Sequence, residues 1–160
     1  MVRVSPIHHR FMISAGQIKQ LRQKTNISVM ECKEALEEAG GDEAKALEIL
    51  KKSGREKALK KAEREAKQGL IETYVHNQGK IGVILELNCE TDFVAKNEQF
   101  KELAHDLAMH VAAMNPENLK ELLNQPFIKD EQKTIEELVN ETIAKLGENI
   151  KIGKFVRLEI

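Results

Sequence analysis

The spacing of apolar residues first changes character at Gly69, and no other feature limits the fold of this chain as much. Before Gly69 apolar residues recur every three or four positions, the period of one helix face; after it they first alternate, the period of a half-buried strand. The alternating stretch reads LIETYVH, a turn over Asn77 to Lys80, then IGVILELNC, which is a hairpin with Val83, Leu85 and Leu87 on one side. Helical spacing returns over Asn97 to Met114, where Phe100, Leu103, Ala104, Leu107, Ala108 and Val111 form one stripe that Asn115-Pro116 ends. A second stripe carries Ile135, Leu138, Val139, Ile143 and Leu146, stops at Gly147, and leads to KFVRLEI, a third strand. The expected class is α+β, with a core of a three-stranded antiparallel sheet covered by helices on one face. On the other face Ile71, Ile84 and Phe155 are expected to leave apolar surface.

The part before Gly69 is expected to be all helical. Ser14 with Gln17, and Ser28 with Glu31, have the spacing of a capping box and mark two helix starts. The first helix carries Ile18 and Leu21; the second carries Cys32, Ala35, Leu36 and Ala39 and stops at Gly40-Gly41. A third opens at Asp42, presents Ala46, Leu47, Ile49 and Leu50, and is expected to end at Gly54. The resulting division is a flexible leader over 1–13, a three-helix bundle over 14–54, a connecting helix over 55–68 and an α+β core over 69–160. The leader, with Pro6, His8, His9 and Arg10, is expected to stand outside the fold.

Composition narrows the function classes. Of 160 residues, 41% are hydrophobic and 32% charged, the balance of a folded, charged, helix-rich chain. A net charge of -1 supplies no global attraction to nucleic acid or acidic membrane, so a protein partner is the better expectation. No apolar stretch approaches the roughly 20 residues of a membrane span, and the expected location is cytoplasmic. Cys32 and Cys89 lack a CxxC partner, so buried free thiols are expected. No phosphate loop, GxSxG elbow or HExxH helix occurs, and no catalytic residue or cofactor is expected.

The segment Glu90-Thr91-Asp92-Phe93-Val94-Ala95-Lys96-Asn97 lies between a strand end and a helix start. One reading makes it a connector, with Thr91 or Asp92 turning the chain, Asn97 capping the helix and Phe93 tucked onto the core. The other has Phe93 project outward as an aromatic anchor for a pocket on another protein; spacing alone favours the first. The basic run Lys51, Lys52, Arg55, Lys57, Lys60, Lys61, Arg64 and Lys67 offers a nucleic-acid or ribosome-binding alternative. Interleaved Glu56, Glu63 and Glu65, with no aromatic to stack on bases, favour a solvated helix instead. His8-His9, and His105 with Asp106 and His110, raise a metal site, but no set has enough ligands at the right spacing.

IKQLRQKTNISVMECKEALEEAGGD, GKIGVILELNCETDFVAKNEQF and LGENI together resemble the elongation factor Ts family, from Ser14 to Ile160. The resemblance implies a ubiquitin-associated-like amino-terminal domain and a core that dock on the GTPase domain of elongation factor Tu and release its nucleotide. It implies that Asp92 and Phe93, flanked by Thr91 and Val94, enter beside the GTPase magnesium site, and that Lys19, Leu21, Arg22, Val29 and Met30 form the amino-terminal contact. Three positions depart from the family pattern: Asn26 replaces a glycine while tolerating a left-handed turn, Val29 replaces a methionine, and Gly153-Lys154 replaces a basic pair. The chain resembles the short form, and a homodimer through the core sheet is the corresponding expectation.

Overall fold

The computed structural model describes residues 12–25 and 27–160, which form two compact units dividing between Ser53 and Gly54. The leader up to residue 11 and the turn at Asn26 lie outside the described residues. Ile13, assigned to the leader from sequence, is instead half-buried against the first unit's core beside Gly41, because an apolar side chain ahead of the first cap finds a ready surface there.

In the first unit α1 (Ala15–Thr25), α2 (Val29–Glu38) and the start of α3 (Glu43–Lys61) enclose Leu21, Cys32, Ala35, Leu36, Ala46 and Leu50. The amino-terminal caps form as the spacing predicts. The Gln17 N–H donates to Ser14 Oγ at 3.2 Å, Gln17 Oε1 accepts from the Ser14 N–H at 2.9 Å, and the Glu31 N–H donates to Ser28 Oγ at 3.3 Å. After α2, Gly40 and Gly41 take φ of 63° and 85°, and the Gly41 N–H reaches back to Leu36 O at 2.8 Å to close the helix end. The third helix does not stop at Gly54. Gly54 is buried, with the Asn140 carbonyl 4.0 Å from where its Cβ would stand, so its small size serves close packing rather than termination.

The helix ends at Lys61, before the expected 68, where a neighbouring side chain takes up the carbonyls that follow: Asn149 Nδ2 donates to Ala62 O at 3.4 Å and Arg64 O at 2.7 Å.

The second unit is built on an antiparallel sheet of three strands in the order β1 (Gln68–His76), β2 (Ile81–Cys89), β5 (Lys151–Glu159), where β5 is the last strand of the chain. The hairpin turns through Asn77, Gln78 and Gly79, all at positive φ. Gly69 sits so close to the central strand that a Cβ would lie 2.1 Å from Leu87 O, and only glycine fits there. Val83, Leu85 and Leu87 face α5 (Glu98–Met114), whose Phe100, Leu103, Ala104, Leu107, Ala108 and Val111 complete the core with Ile135, Val139 and Ile143 of α7 (Ile135–Leu146). Gly147 ends α7 in the left-handed conformation at φ 76°.

One expectation about the sheet is overturned. Phe155 packs against the core, while Val156 and Leu158 lie on the outer face with Ile71, Val75 and Ile84. The cause is a β-bulge: Leu85 pairs with Phe155 but Leu87 pairs with Ile152, so Gly153 and Lys154 oppose Glu86 alone. That extra residue reverses the inward and outward parity of everything after it. Gly153 leaves the room that Glu86 fills, since a Cβ there would meet the Glu86 carboxyl at 2.7 Å.

Four elements were not anticipated: α4 (Asp92–Ala95), α6 (Leu119–Asn124) and a small hairpin of β3 (Pro126–Phe127) with β4 (Asp130–Thr134).

Candidate functional site

The segment between β2 and α5 is not an open loop but a single helical turn held at both ends. Thr91 precedes α4 and its Oγ1 accepts from the Val94 N–H at 3.4 Å; Asn97 precedes α5 and its Oδ1 accepts from the Gln99 N–H at 2.8 Å. The far end of α4 closes through its own backbone, the Lys96 N–H donating to Asp92 O at 3.2 Å. Val94 and Ala95 point into the core, half-buried against it. Asp92 and Phe93 point out, and the ring is 83% exposed. The reading in which Phe93 tucks onto its own core is therefore excluded. Asp92 is paired with Lys96 at 3.1 Å, an exposed pair one turn apart that contributes little to stability.

A second layer supports the turn from below. The Thr91 N–H donates to Glu148 Oε1 at 3.0 Å and the Thr91 hydroxyl to Glu148 Oε2 at 2.8 Å. In the opposite sense, the Asn149 N–H donates to Glu90 Oε1 at 2.7 Å, and the Arg64 guanidinium stands 3.6 Å from the same oxygen. The buried Cys89 thiol donates to Thr91 O at 3.1 Å. Burial first, and then the nearby Glu148 charge, pushes that thiol's pKa up to about 11, so it stays protonated and is unsuited to nucleophilic or metal chemistry. Glu90 heads the segment singled out from sequence but has no role assigned there, and Glu148 and Asn149 lie outside that segment. The LGENI motif that contains two of them was visible in the sequence, but nothing in its spacing tied it to a turn 57 positions earlier.

In the amino-terminal unit, Lys19 and Arg22 lie exposed on α1, and Val29 and Met30 lie exposed in the first turn of α2. Leu21 departs from this set. Its exposure is 0%, inside the unit's own core, so it supports the helix surface without forming part of it.

The three described histidines have structural roles. His105 packs edge-on to Tyr74, which also stacks on His76. Asp106 is drawn to Lys129 at 2.6 Å. His110 is fully buried: its Nδ1 accepts from the Ile128 N–H at 3.4 Å, which places the proton on Nε2, donated to Gln125 Oε1 at 2.9 Å. Among the described residues no three potential ligands converge as a metal site would need, and no helix is long and apolar enough to cross a membrane. In the basic run, Arg64 pairs with Glu90 and Lys67 with Glu65. A groove of about 310 Å3 runs between the end of α3, α6 and α7, floored by residues such as Leu123, Val139 and Ile143. No Ser, Cys or His lines it.

Comparison with known proteins bears on the same segments. The model of the family described as Elongation factor TS matches residues 90–160, which begin at the capped turn and end with the last strand. The chain is 44% identical to the Elongation factor Ts of Oleidesulfovibrio alaskensis, over 92% of this chain and 98% of that one. It is equally similar to that of Fervidobacterium nodosum, with the same coverage, and to that of Thermotoga petrophila, over 92% of this chain and 96% of that one. With an exposed, doubly capped aromatic turn, a helical unit ahead of it and relatives that match along almost their whole length, the chain belongs to the elongation factor Ts family of translation factors.

Proposed function

We propose that this chain is a guanine-nucleotide exchange factor for elongation factor Tu, promoting GDP release by pressing the Asp92–Phe93 turn between elements that hold the GTPase magnesium ion. The observation that carries this reading is the position of Phe93: a large apolar residue, 83% exposed, on a turn whose other side packs on the core through Val94 and Ala95. A rigid aromatic ring held out on a short connecting turn has the form of an interface hot spot.

Exchange requires no bond to be made or broken. Magnesium bridges the nucleotide phosphates to the GTPase and offsets their charge, so moving its ligands removes much of the affinity for GDP. A rigid wedge is sufficient for that, and Phe93 brings contact area at small entropic cost. Asp92 offers a carboxylate that can accept hydrogen bonds from a displaced helix. Thermodynamic linkage adds the return step: a factor that weakens GDP binding is itself bound less tightly when nucleotide is present, and so leaves.

The amino-terminal unit contributes a second contact through Lys19, Arg22, Val29 and Met30, with Leu21 as internal support. The outer sheet face, with Ile71, Val75, Ile84, Val156 and Leu158 more than half exposed, is assigned to a second copy of the chain. The site of action is cytoplasmic, where translation elongation takes place.

The test is stopped-flow release of a fluorescent GDP from elongation factor Tu. Addition of this chain should accelerate release and saturate with concentration; release unchanged at any concentration removes the reading.

A further inference from the structure

We propose that Glu148 and Glu90 are positioning residues, which continue the sheet as a side-chain brace and hold the Asp92–Phe93 turn in its docking conformation. The proposal rests on the exchange reading and adds to it the device that orders the wedge.

The argument begins with strand register. In the β2–β5 pair Asn88 stands opposite Lys151. Each further step along two antiparallel strands moves one chain forward and the other back, so the next opposite pairs are Cys89 with Ile150, Glu90 with Asn149, and Thr91 with Glu148. The strands end before these last two steps, β2 at Cys89 and β5 at Lys151. Even so, the pairs that the register predicts remain bonded. At one step the Asn149 N–H donates to the Glu90 carboxylate at 2.7 Å; at the next the Thr91 N–H donates to the Glu148 carboxylate at 3.0 Å. A continued antiparallel ladder would bond only one of two successive pairs through its backbone; here the longer, charged glutamate side chains bond both, so the chains can diverge into their turns and remain joined.

The arrangement is reciprocal, with one carboxylate given by each chain. The Thr91 hydroxyl adds a further bond to Glu148 at 2.8 Å while also accepting the Val94 N–H that starts α4. Bonds of this kind, in which the acceptor is ionised, are shorter and stronger than neutral ones. Asn149 fastens the brace to the chain after α3 through Arg64 O at 2.7 Å, so the platform under the turn joins three segments. Asp92 and Phe93 take no part in it and keep their outer surfaces clear.

The function of such a brace is to lower the ordering cost of docking. A turn that holds its docking shape only part of the time binds more weakly by that fraction, with no change in what it does once bound. Loss of the brace therefore has a distinct kinetic signature: the concentration for half-maximal GDP release rises while the saturating rate is retained.

Two variants test this in the full chain. Glu148→Ala removes both acceptors from Thr91 and should raise the half-saturating concentration about tenfold, equivalent to ~1.4 kcal/mol, with the saturating rate within about twofold of wild type. Glu148→Gln keeps an oxygen for the Thr91 N–H and an amide that can donate to the hydroxyl, and should recover most of the loss. Amide hydrogen exchange of Thr91 and Val94 in the free chain, which needs no partner, should accelerate in the alanine variant and return toward wild type in the glutamine one. Unchanged amide exchange in Glu148→Ala overturns the brace. Faster amide exchange with an unchanged half-saturating concentration overturns its positioning role. A wild-type chain that fails to release GDP defeats the exchange reading and the positioning role together, and the amide data then show whether the brace itself stands.

Discussion

Replacement of Phe93 by alanine separates the contribution of the ring from that of the fold. In the free chain the ring is 83% exposed, so nearly all of its apolar area remains to be buried on docking. Full burial of a phenylalanine side chain stabilises by about 1.5–3 kcal/mol, and alanine keeps only the Cβ of that contact. A loss of ~2–3 kcal/mol corresponds to a roughly 30- to 150-fold change in rate or affinity. Because the ring is proposed to enter as the magnesium-holding elements move, the loss should fall on the saturating rate of GDP release, unlike the loss expected at Glu148. The unfolding free energy should change by no more than about 0.5 kcal/mol, since few native contacts are removed. Stopped-flow release over a concentration series, with urea unfolding of both proteins, measures the two quantities. A variant that releases GDP at the wild-type saturating rate refutes the wedge. A variant that loses stability by several kcal/mol refutes the claim that the ring is spare to the fold.

Substitution of Ile84 by lysine places a charge at the centre of the outer sheet face, opposite Val156. Sedimentation equilibrium at micromolar concentration should show a dimer for wild type and a monomer for the variant; a monomeric wild type removes the sheet-mediated dimer. His110 gives a pH-dependent contribution to stability. Burial holds its pKa below the ordinary 6.5, outweighing the opposing effect of Gln125. Below pH 6.5 the unfolded chain takes up a proton that the folded one refuses, so this contribution is complete above pH 6.5 and is lost as pH falls toward the lowered folded value. Thermal melts between pH 7 and 5 should therefore fall more steeply for wild type than for His110→Gln, and parallel curves would show that the buried imidazole does not drive the acid response.

Much of the architecture was legible because long elements repeat their signal. The stripe from Phe100 to Val111 spans three turns of helix, and the caps at Ser14 and Ser28 and the stops at Gly41 and Gly147 fell where their chemistry requires. Short elements have no such redundancy. Four residues from Asp92 to Ala95 cannot show a helical period, and the six from Leu119 to Asn124 barely can. The orientation of Phe155 was hidden for a different reason: alternation gives the face of a strand only if nothing is inserted, and the bulge at Gly153 and Lys154 is set by tertiary contact with Glu86. Gly54 misleads in the same way, since a glycine that ends a helix and one that lets another backbone come close look alike in sequence.

The site shows where local spacing runs out. Whether Phe93 faces in or out depends on which neighbours turn inward, and that is decided by Val94 and Ala95 on the core side and by Thr91 and Asn97 at the ends. The resemblance-based contact set contains Leu21 beside Arg22, but helical geometry separates them by about 100°, one into the core and the other into solvent. The same geometry explains why an exposed ring is compatible with a stable free protein. Leaving Phe93 in water forgoes about 1.5–3 kcal/mol that burial would have contributed, because Val94 and Ala95 hold the core side of the turn. That unrealised burial is the free energy available on docking, and only a partner surface can release it. A ring packed into its own core would make the free chain more stable and leave it less with which to open another protein.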